Sequence, residues 1–402
     1  MLRPGSLALT TLLAMLTGLG PLSMDMYLPS LPDLGRVLAA PTAQVQLTVS
    51  TYLIGFAVGQ VIYGPLSDRY GRRPVLLAAL LFYAAATLAC AAARSIETLI
   101  AARFVQAIGG SGSIVMARAI VRDLYSGARA GRELSLMGSI SAFAPIVAPM
   151  IGGVLQSAFG WRASFLLMGA AAVIAVVAVV RLLPETAPQR AGATMTWTFL
   201  AHSYGEVARH RGFLAYLGII TASYAGLFAW VSGASVVLQS VYGLSPAAFG
   251  FTFAVGSAGY LVGTTIAMRL VLRLGLDRTM GIGVALLVAG GILLAIVVAA
   301  HVEGIWLVAT MSLYLAGLGF AMPQAMAGAL TPFPQRAGTA SSLMGVVQQT
   351  LAAGVAAAIG GYLGHSAWPM TGVILAMACL AYLNWALTRR LRAHEVERLP
   401  RV

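Results

Sequence analysis

The sequence predicts an all-α integral membrane protein with twelve transmembrane helices, in two six-helix halves related by pseudo-symmetry. Three observations predict it. First, 59% of the 402 residues are hydrophobic and 9% are charged, with a mean hydropathy of +0.87. An ordinary soluble domain carries about 25% charge. Second, apolar runs near the ~20-residue length that spans a bilayer recur in two groups of six, either side of a polar stretch. Third, a charged turn that closes the second run has a worn copy closing the eighth. A soluble globule needs a charged surface to stay dispersed, and disorder needs low hydrophobicity with high charge.

Taken in order, span 1 runs from Leu7 to Leu34 and is interrupted by Pro21, Pro29 and Pro32. This run outlasts the ~7–15-residue core of a cleavable leader, and it contains Asp25. Span 2 is Ala43 to Leu66, span 3 Pro74 to Ala93, and span 4 Glu97 to Val121. Span 5 is Leu134 to Phe159 and span 6 is Ala163 to Leu183. Residues 1–184 form the first half and 185–211 a polar linker. Span 7 is Gly212 to Val237, span 8 Pro246 to Leu272, and span 9 Arg278 to Ala300. Span 10 is Gly304 to Leu330, span 11 Thr339 to Leu363, and span 12 Pro369 to Leu387. The second half is 212–388, and 389–402 is a basic tail.

The net charge is +13, and every one of the 25 basic residues is arginine. Where they fall fixes the reading. With the N-terminus in the cytoplasm, most arginines lie in inner loops and the tail, as the positive-inside rule requires. Arg36, Arg94 and Arg162 remain outside, and Arg103 lies within span 4. The basic balance is then an inner surface facing anionic lipid, not a nucleic-acid patch. The expected location is the cell inner membrane, with both termini cytoplasmic. Cys90 and Cys379 sit in apolar runs, so neither a disulfide framework nor a metal site is expected. A phosphate-binding loop of the usual Gly-x4-Gly-Lys form needs a lysine, which disfavours ATP drive.

The strongest local signal is Gly64-Pro-Leu-Ser-Asp68-Arg69-Tyr-Gly71-Arg72-Arg73, at the end of span 2. Its glycines allow close approach of helices and a tight turn, and Asp68 can pair with an arginine or cap a helix N-terminus. The copy Met268-Arg-Leu-Val-Leu-Arg273-Leu-Gly275 aligns Arg273 with Arg69 and Gly275 with Gly71, and replaces Asp68 by Leu272. Internal repeats of this kind build many secondary transporters, with the site between the repeats.

This turn resembles the signature loop between helices 2 and 3 of the major facilitator superfamily. Ser23-Met-Asp25-Met-Tyr27-Leu-Pro29-Ser-Leu-Pro32 resembles the first-helix motif of its Bcr/CflA drug-efflux branch. Ser50-Thr-Tyr52 with Gly55, Gly59-Gln60-Val-Ile-Tyr-Gly64 and Arg122-Asp123-Leu-Tyr125 do so too, as do Ala337–Leu343 and Ala367–Met370. The resemblance runs from about residue 20 to 388. It implies a twelve-helix fold and proton-driven export of small antibiotics or metabolites, with no cofactor. Arg103 matches the family's fourth-helix arginine.

Asp25 is the one acidic residue placed well inside a span, and an acid there is a functional candidate by default. Asp25 and Arg103 fall at similar depths in the outer half, so the expectation is a pair that shares proton coupling. Substrate contact by Arg103, or its snorkelling to the headgroups, are the alternatives. A single exchangeable acid implies one proton per cycle. In span 5, Pro145, Pro149, Gly152 and Gly153 suit a bent, closely packed helix. In the family this helix carries an antiporter motif with glycine before the proline, where this chain has Ala148.

Cavities for amphiphiles are mostly apolar and aromatic with a few placed polar groups. The candidates are Tyr27, Tyr52, Gln60, Gln106, Tyr224, Phe228, Gln324, Gln348 and Gln349. Asp123, ending span 4, is placed to reach the arginines of the signature loop and form an inner latch with Gly64, Asp68, Arg69, Gly71, Arg72 and Arg73. The partners are therefore a small-molecule substrate, protons and the bilayer, for a monomer. A proton-coupled importer fits the same features. A membrane-embedded enzyme would want several catalytic His, Asp or Glu in the spans, so the chain is not expected to be an enzyme.

Overall fold

The structure is a computed structural model that describes residues 6–125, 127–187, 197–333, 336–363 and 366–392. The described residues are helical or in short connections, and none lies in a strand. They form two compact units, residues 1–194 with 244–251 and residues 195–243 with 252–402.

The first unit opens with α1 (Leu7–Asp25), whose N-cap Ser6 side chain accepts from the Leu9 amide. The helix does not run on to Leu34 as the sequence suggests. Pro29 and Pro32 lack the N–H a continuing helix would donate, so a 3-10 turn (Leu28–Ser30) and a short α2 (Leu31–Val37) follow. Then come α3 (Thr42–Tyr70), α4 (Arg72–Ala92), α5 (Ile96–Leu124), α6 (Gly127–Phe159) and α7 (Arg162–Leu182). Ser95 caps α5 by accepting from the Thr98 amide. α5 packs on α3 and α4, α4 on α7, and α1 on α5 and α6. Leu9, Leu13 and Leu16 of α1 are buried with Leu76, Leu80, Met116, Ile120 and Val179. Leu81, Phe82, Leu88 and Ile174 are exposed, as lipid-facing side chains of a spanning helix must be.

The second unit starts earlier than the sequence suggests. The stretch read as a polar linker contains α8 (Trp197–Arg209), a helix that packs on α13. Tyr204 donates to the Ser342 hydroxyl at 2.9 Å, and Glu206 pairs with Arg336. Then follow α9 (Arg211–Val236) with a π-turn to Val241, α10 (Pro246–Leu274) and α11 (Leu276–Ala299). α12 (Gly304–Leu330), α13 (Ala337–Gly360) and α14 (Trp368–Leu387) complete it. α11 packs on α12 and α14, and α9 on α12, α13 and α14.

Ten of these helices are long and apolar enough to cross a membrane: α3, α4, α5, α7 and α9 through α14. With α1 and α6, whose apolar part is Phe143–Phe159, they supply the twelve spans. The helices overrun the apolar runs because charged residues extend them past the hydrocarbon. Asp68 and Arg69 thus belong to the last turn of α3, and Asp123 to the last turn of α5.

Candidate functional site

The most concentrated polar chemistry of the first unit surrounds Arg103, in the third turn of α5. Its side chain is fully buried. The guanidinium carbon lies 4.2 Å from the ring centre of Tyr27 and 4.1 Å from that of Tyr52, with Phe165 at 5.8 Å. One terminal nitrogen donates to the Ser23 carbonyl at 3.0 Å and to Gln106 Oε1 at 2.6 Å. Gln106 stands one turn along the same face of α5, and its amide donates to Thr87 Oγ1 at 2.9 Å. The tyrosines are fixed in turn. The Tyr52 hydroxyl donates to the Gly20 carbonyl at 3.0 Å, and the Tyr27 hydroxyl shares a 2.8 Å hydrogen bond with Thr48. The Ser23 hydroxyl pairs with that of Tyr83.

This corrects the expected pairing and removes one of the alternatives to it. Arg103 does not snorkel, and among the described residues it makes no ion pair with Asp25. Aromatic faces hold its charge instead, each cation–π contact worth about 2 kcal/mol where water is excluded. Tyr27, Tyr52 and Gln106 are therefore walls of an arginine cage. The tyrosine hydroxyls and the Gln106 amide are already engaged, and the tyrosine rings are buried against the guanidinium. The sequence did not point to Phe165, Tyr83 or Ser23 as members of this site.

Asp25 is the last residue of α1, two positions beyond the Ser23 carbonyl that receives Arg103. It is buried, and no side-chain hydrogen bond or ion pair to its carboxyl is found among the described residues. A carboxylate at a helix C-terminus also meets the negative end of the helix dipole. The break after α1 thus puts the acid where a negative charge has little support, and protonation is the simplest relief. Asp25 is not alone in being buried. Glu133, assigned from the sequence to a helix end, is 8% exposed in the second turn of α6 and accepts from Thr10 Oγ1 at 2.9 Å.

The signature loop is built on Gly71, whose φ of +93° lets α3 pass directly into α4. Arg72 bridges two carboxylates. Its Nη1 donates to Asp68 and, at 2.7 Å, to Ser67, while its Nε donates to Asp123 at 2.8 Å. Arg73 donates to the Val180 carbonyl at 2.7 Å, and Arg69 lies over the Tyr70 ring at 5.2 Å. Glu185 accepts from the backbone amides of Arg72 and Arg73, at 2.9 and 3.2 Å, capping the N-terminus of α4. Burial pushes its carboxyl up, but four backbone donors outweigh that and hold it below the usual carboxylate range. The sequence reading missed Glu185 because its partner is on a distant helix. It also misjudged Gly64: a side-chain carbon there would touch nothing within 4 Å, so this glycine serves no close packing. Gly109 does that work, since a Cβ there would come within 2.6 Å of the Tyr83 backbone.

The remaining candidates separate. Gln60 is half-buried, about two turns along α3 from Tyr52. In the second unit, Tyr224 donates to Gln349 Oε1 at 3.3 Å and its ring lies 4.7 Å from that of Phe228. Gln324 is buried on α12 and Gln349 on α13, where the neighbouring Gln348 is half-buried. On α6, Pro149, Gly152 and Gly153 are buried and Pro145 is half-buried; any Cβ on Gly152 would meet the Met26 carbonyl.

The Major Facilitator Superfamily model matches residues 13–357. Multidrug resistance protein D of Escherichia coli is 31% identical over 387 residues, covering 96% of both chains. The chloramphenicol resistance protein of Pseudomonas aeruginosa is 32% identical over 90% of this chain and 88% of its own. Among solved structures, a D-xylose-proton symporter superposes with a TM-score of 0.73 at 16% identity, covering 93% of this chain and 97% of that one. That likeness concerns the fold. Taken with the motifs of α1, α3 and the α3–α4 turn, these matches establish that the chain belongs to the major facilitator superfamily, in its Bcr/CflA branch.

Proposed function

We propose that this protein is a proton-coupled secondary transporter that exports small, moderately apolar drugs or metabolites by alternating access. The observation that carries the reading is Asp25: a buried carboxyl at a helix end, with no hydrogen-bond or ion-pair partner among the described residues, two positions beyond the carbonyl that receives Arg103. An acid so placed can take up a proton and release it when its surroundings change, without an ion pair to break first. Relatives named for multidrug and chloramphenicol resistance support export over uptake. The paired Tyr224 and Phe228 rings of the second half supply a face suited to flat apolar compounds. The protein then resides in the inner membrane as a monomer with both termini cytoplasmic, needs no cofactor, and draws on the proton gradient.

Inverted vesicles test this. Drug addition to vesicles carrying the unaltered protein should drive proton movement, Asp25→Asn should abolish it, and Asp25→Glu should keep part of it. Undiminished proton movement with Asp25→Asn would sink the assignment.

A further inference from the structure

In the first half, the signature loop is tied to the chain that trails the sixth span. Glu185, three residues past the end of α7, caps Arg72 and Arg73, and Arg73 reaches back to Val180 near that end. The second half carries only the worn loop, with Leu272 in the place of Asp68 and 88% exposed. Extending the register from Gly71 and Gly275 puts Asp277 where Arg73 stands.

A comparable tie is nevertheless present, made by a side-chain ion pair where the first half uses hydrogen bonds to backbone groups. Gly275 takes φ +78°, and Asp277 lies in the first turn of α11. Arg392, five residues past the end of α14, donates from Nε to Asp277 Oδ1 at 2.8 Å. A terminal nitrogen of Arg392 donates to the Thr388 hydroxyl, and its guanidinium carbon is 5.8 Å from the Trp385 ring. Its side chain is 1% exposed, against 32% for Asp277. The sequence reads the tail as a basic segment facing lipid, but Arg392 is shut away from lipid headgroups. An acid in the first turn suits the positive end of the helix dipole, and the pairing offsets part of the cost of burying the arginine.

We propose that Arg392 and Asp277 are positioning residues for transport. They form the second half's counterpart of the signature clamp, supplied by the C-terminal tail in place of the eroded motif. The clamp holds the start of α11 against the end of α14, so that these helices move as one body. Its effect on transport rests on the exporter reading; its effect on the local structure does not.

Hydrogen exchange on the purified full-length protein reads the clamp directly. Arg392→Ala and Asp277→Asn should each speed amide exchange in the first two turns of α11 by about tenfold, leaving the start of α4 unchanged. Arg392→Lys keeps the charge but loses the fork, and should fall between. In vesicles the maximal export rate should drop about fivefold, the low end of coupling between sites, with half-saturation moved less than about twofold. The exchanged pair Asp277→Arg with Arg392→Asp, which restores the ion pair with its ends reversed, should recover part of both. Unchanged exchange at α11 in both single variants overturns the clamp. Faster exchange with an unchanged export rate overturns its role in transport. If the unaltered protein exports nothing, the exporter reading falls while the exchange comparison still decides the clamp.

Discussion

Around Arg103 in the first half, a full positive charge is buried between two tyrosine rings, with an acid two residues from one of its hydrogen-bond acceptors. Around Tyr224 in the second half, by contrast, a phenol donates to the Gln349 amide oxygen. Among the described residues, the buried polar side chains on the second-half spans are serines, threonines and glutamines, and the buried charge, Arg392, lies beyond the last span. Two six-helix bundles of like topology thus bury different chemistry. The difference teaches that the repeat has been kept for its packing while its charges have been divided. Ion coupling can be confined to the first half, and the second is free to meet apolar substrate with neutral groups.

The comparison predicts unequal costs. Arg103→Ala should be the most damaging single change, because it empties the cage and removes its cation–π contacts and the bonds to Ser23 and Gln106. A loss of about 4 kcal/mol is expected, read as a large fall in unfolding temperature in detergent. Gln349→Ala in the second half should cost about 1 kcal/mol, the worth of an ordinary hydrogen bond. Equal losses from the two would break the comparison. Next in size is Gly109→Ala, which forces a methyl against the Tyr83 backbone and should cost about 2 kcal/mol. Gly64→Ala, facing open space, should stay within about 0.5 kcal/mol. Tyr52→Phe keeps the ring over Arg103 but gives up the bond to Gly20, so a loss of about 1 kcal/mol is expected.

Much of the fold was legible because bilayer length and hydropathy are local properties of the chain. The spans, the six-plus-six division and the Gly71 turn all follow from neighbours in sequence. The helix break after Asp25 was only half legible: Pro21, Pro29 and Pro32 announced an interruption without placing it. The site was less legible because it depends on partners far apart in the chain. Tyr52, Arg103 and Phe165 come from three helices and Tyr27 from the turn after α1, and nothing in the sequence near Arg103 says that rings and not Asp25 will meet its charge. Glu185 and Arg392 were hidden for the same reason. Each lies in a polar stretch after a sixth span, where a solvated charge is the default reading.

The smallest prediction concerns Glu185. Its carboxyl is held below the usual range by backbone donors, so the native state favours the ionised form. That stabilisation is complete above the ordinary carboxyl value of about 4.3 and is lost as pH falls through the lower folded value. Glu185→Gln should therefore lower the unfolding temperature slightly at neutral pH. The gap from the unaltered protein should close toward about pH 3. A gap that stays constant across that range would show that the cap does not depend on charge.

The central claim is that coupling resides in the unpaired acid at the end of α1, and proton release on drug binding tests it most directly. In weakly buffered detergent solution, the purified protein should release about one proton per drug bound, as a single linked carboxyl supplies. Asp25→Asn should release none while still binding drug, and Asp277→Asn should release as much as the unaltered protein. Release from Asp25→Asn equal to that of the unaltered protein would contradict the account.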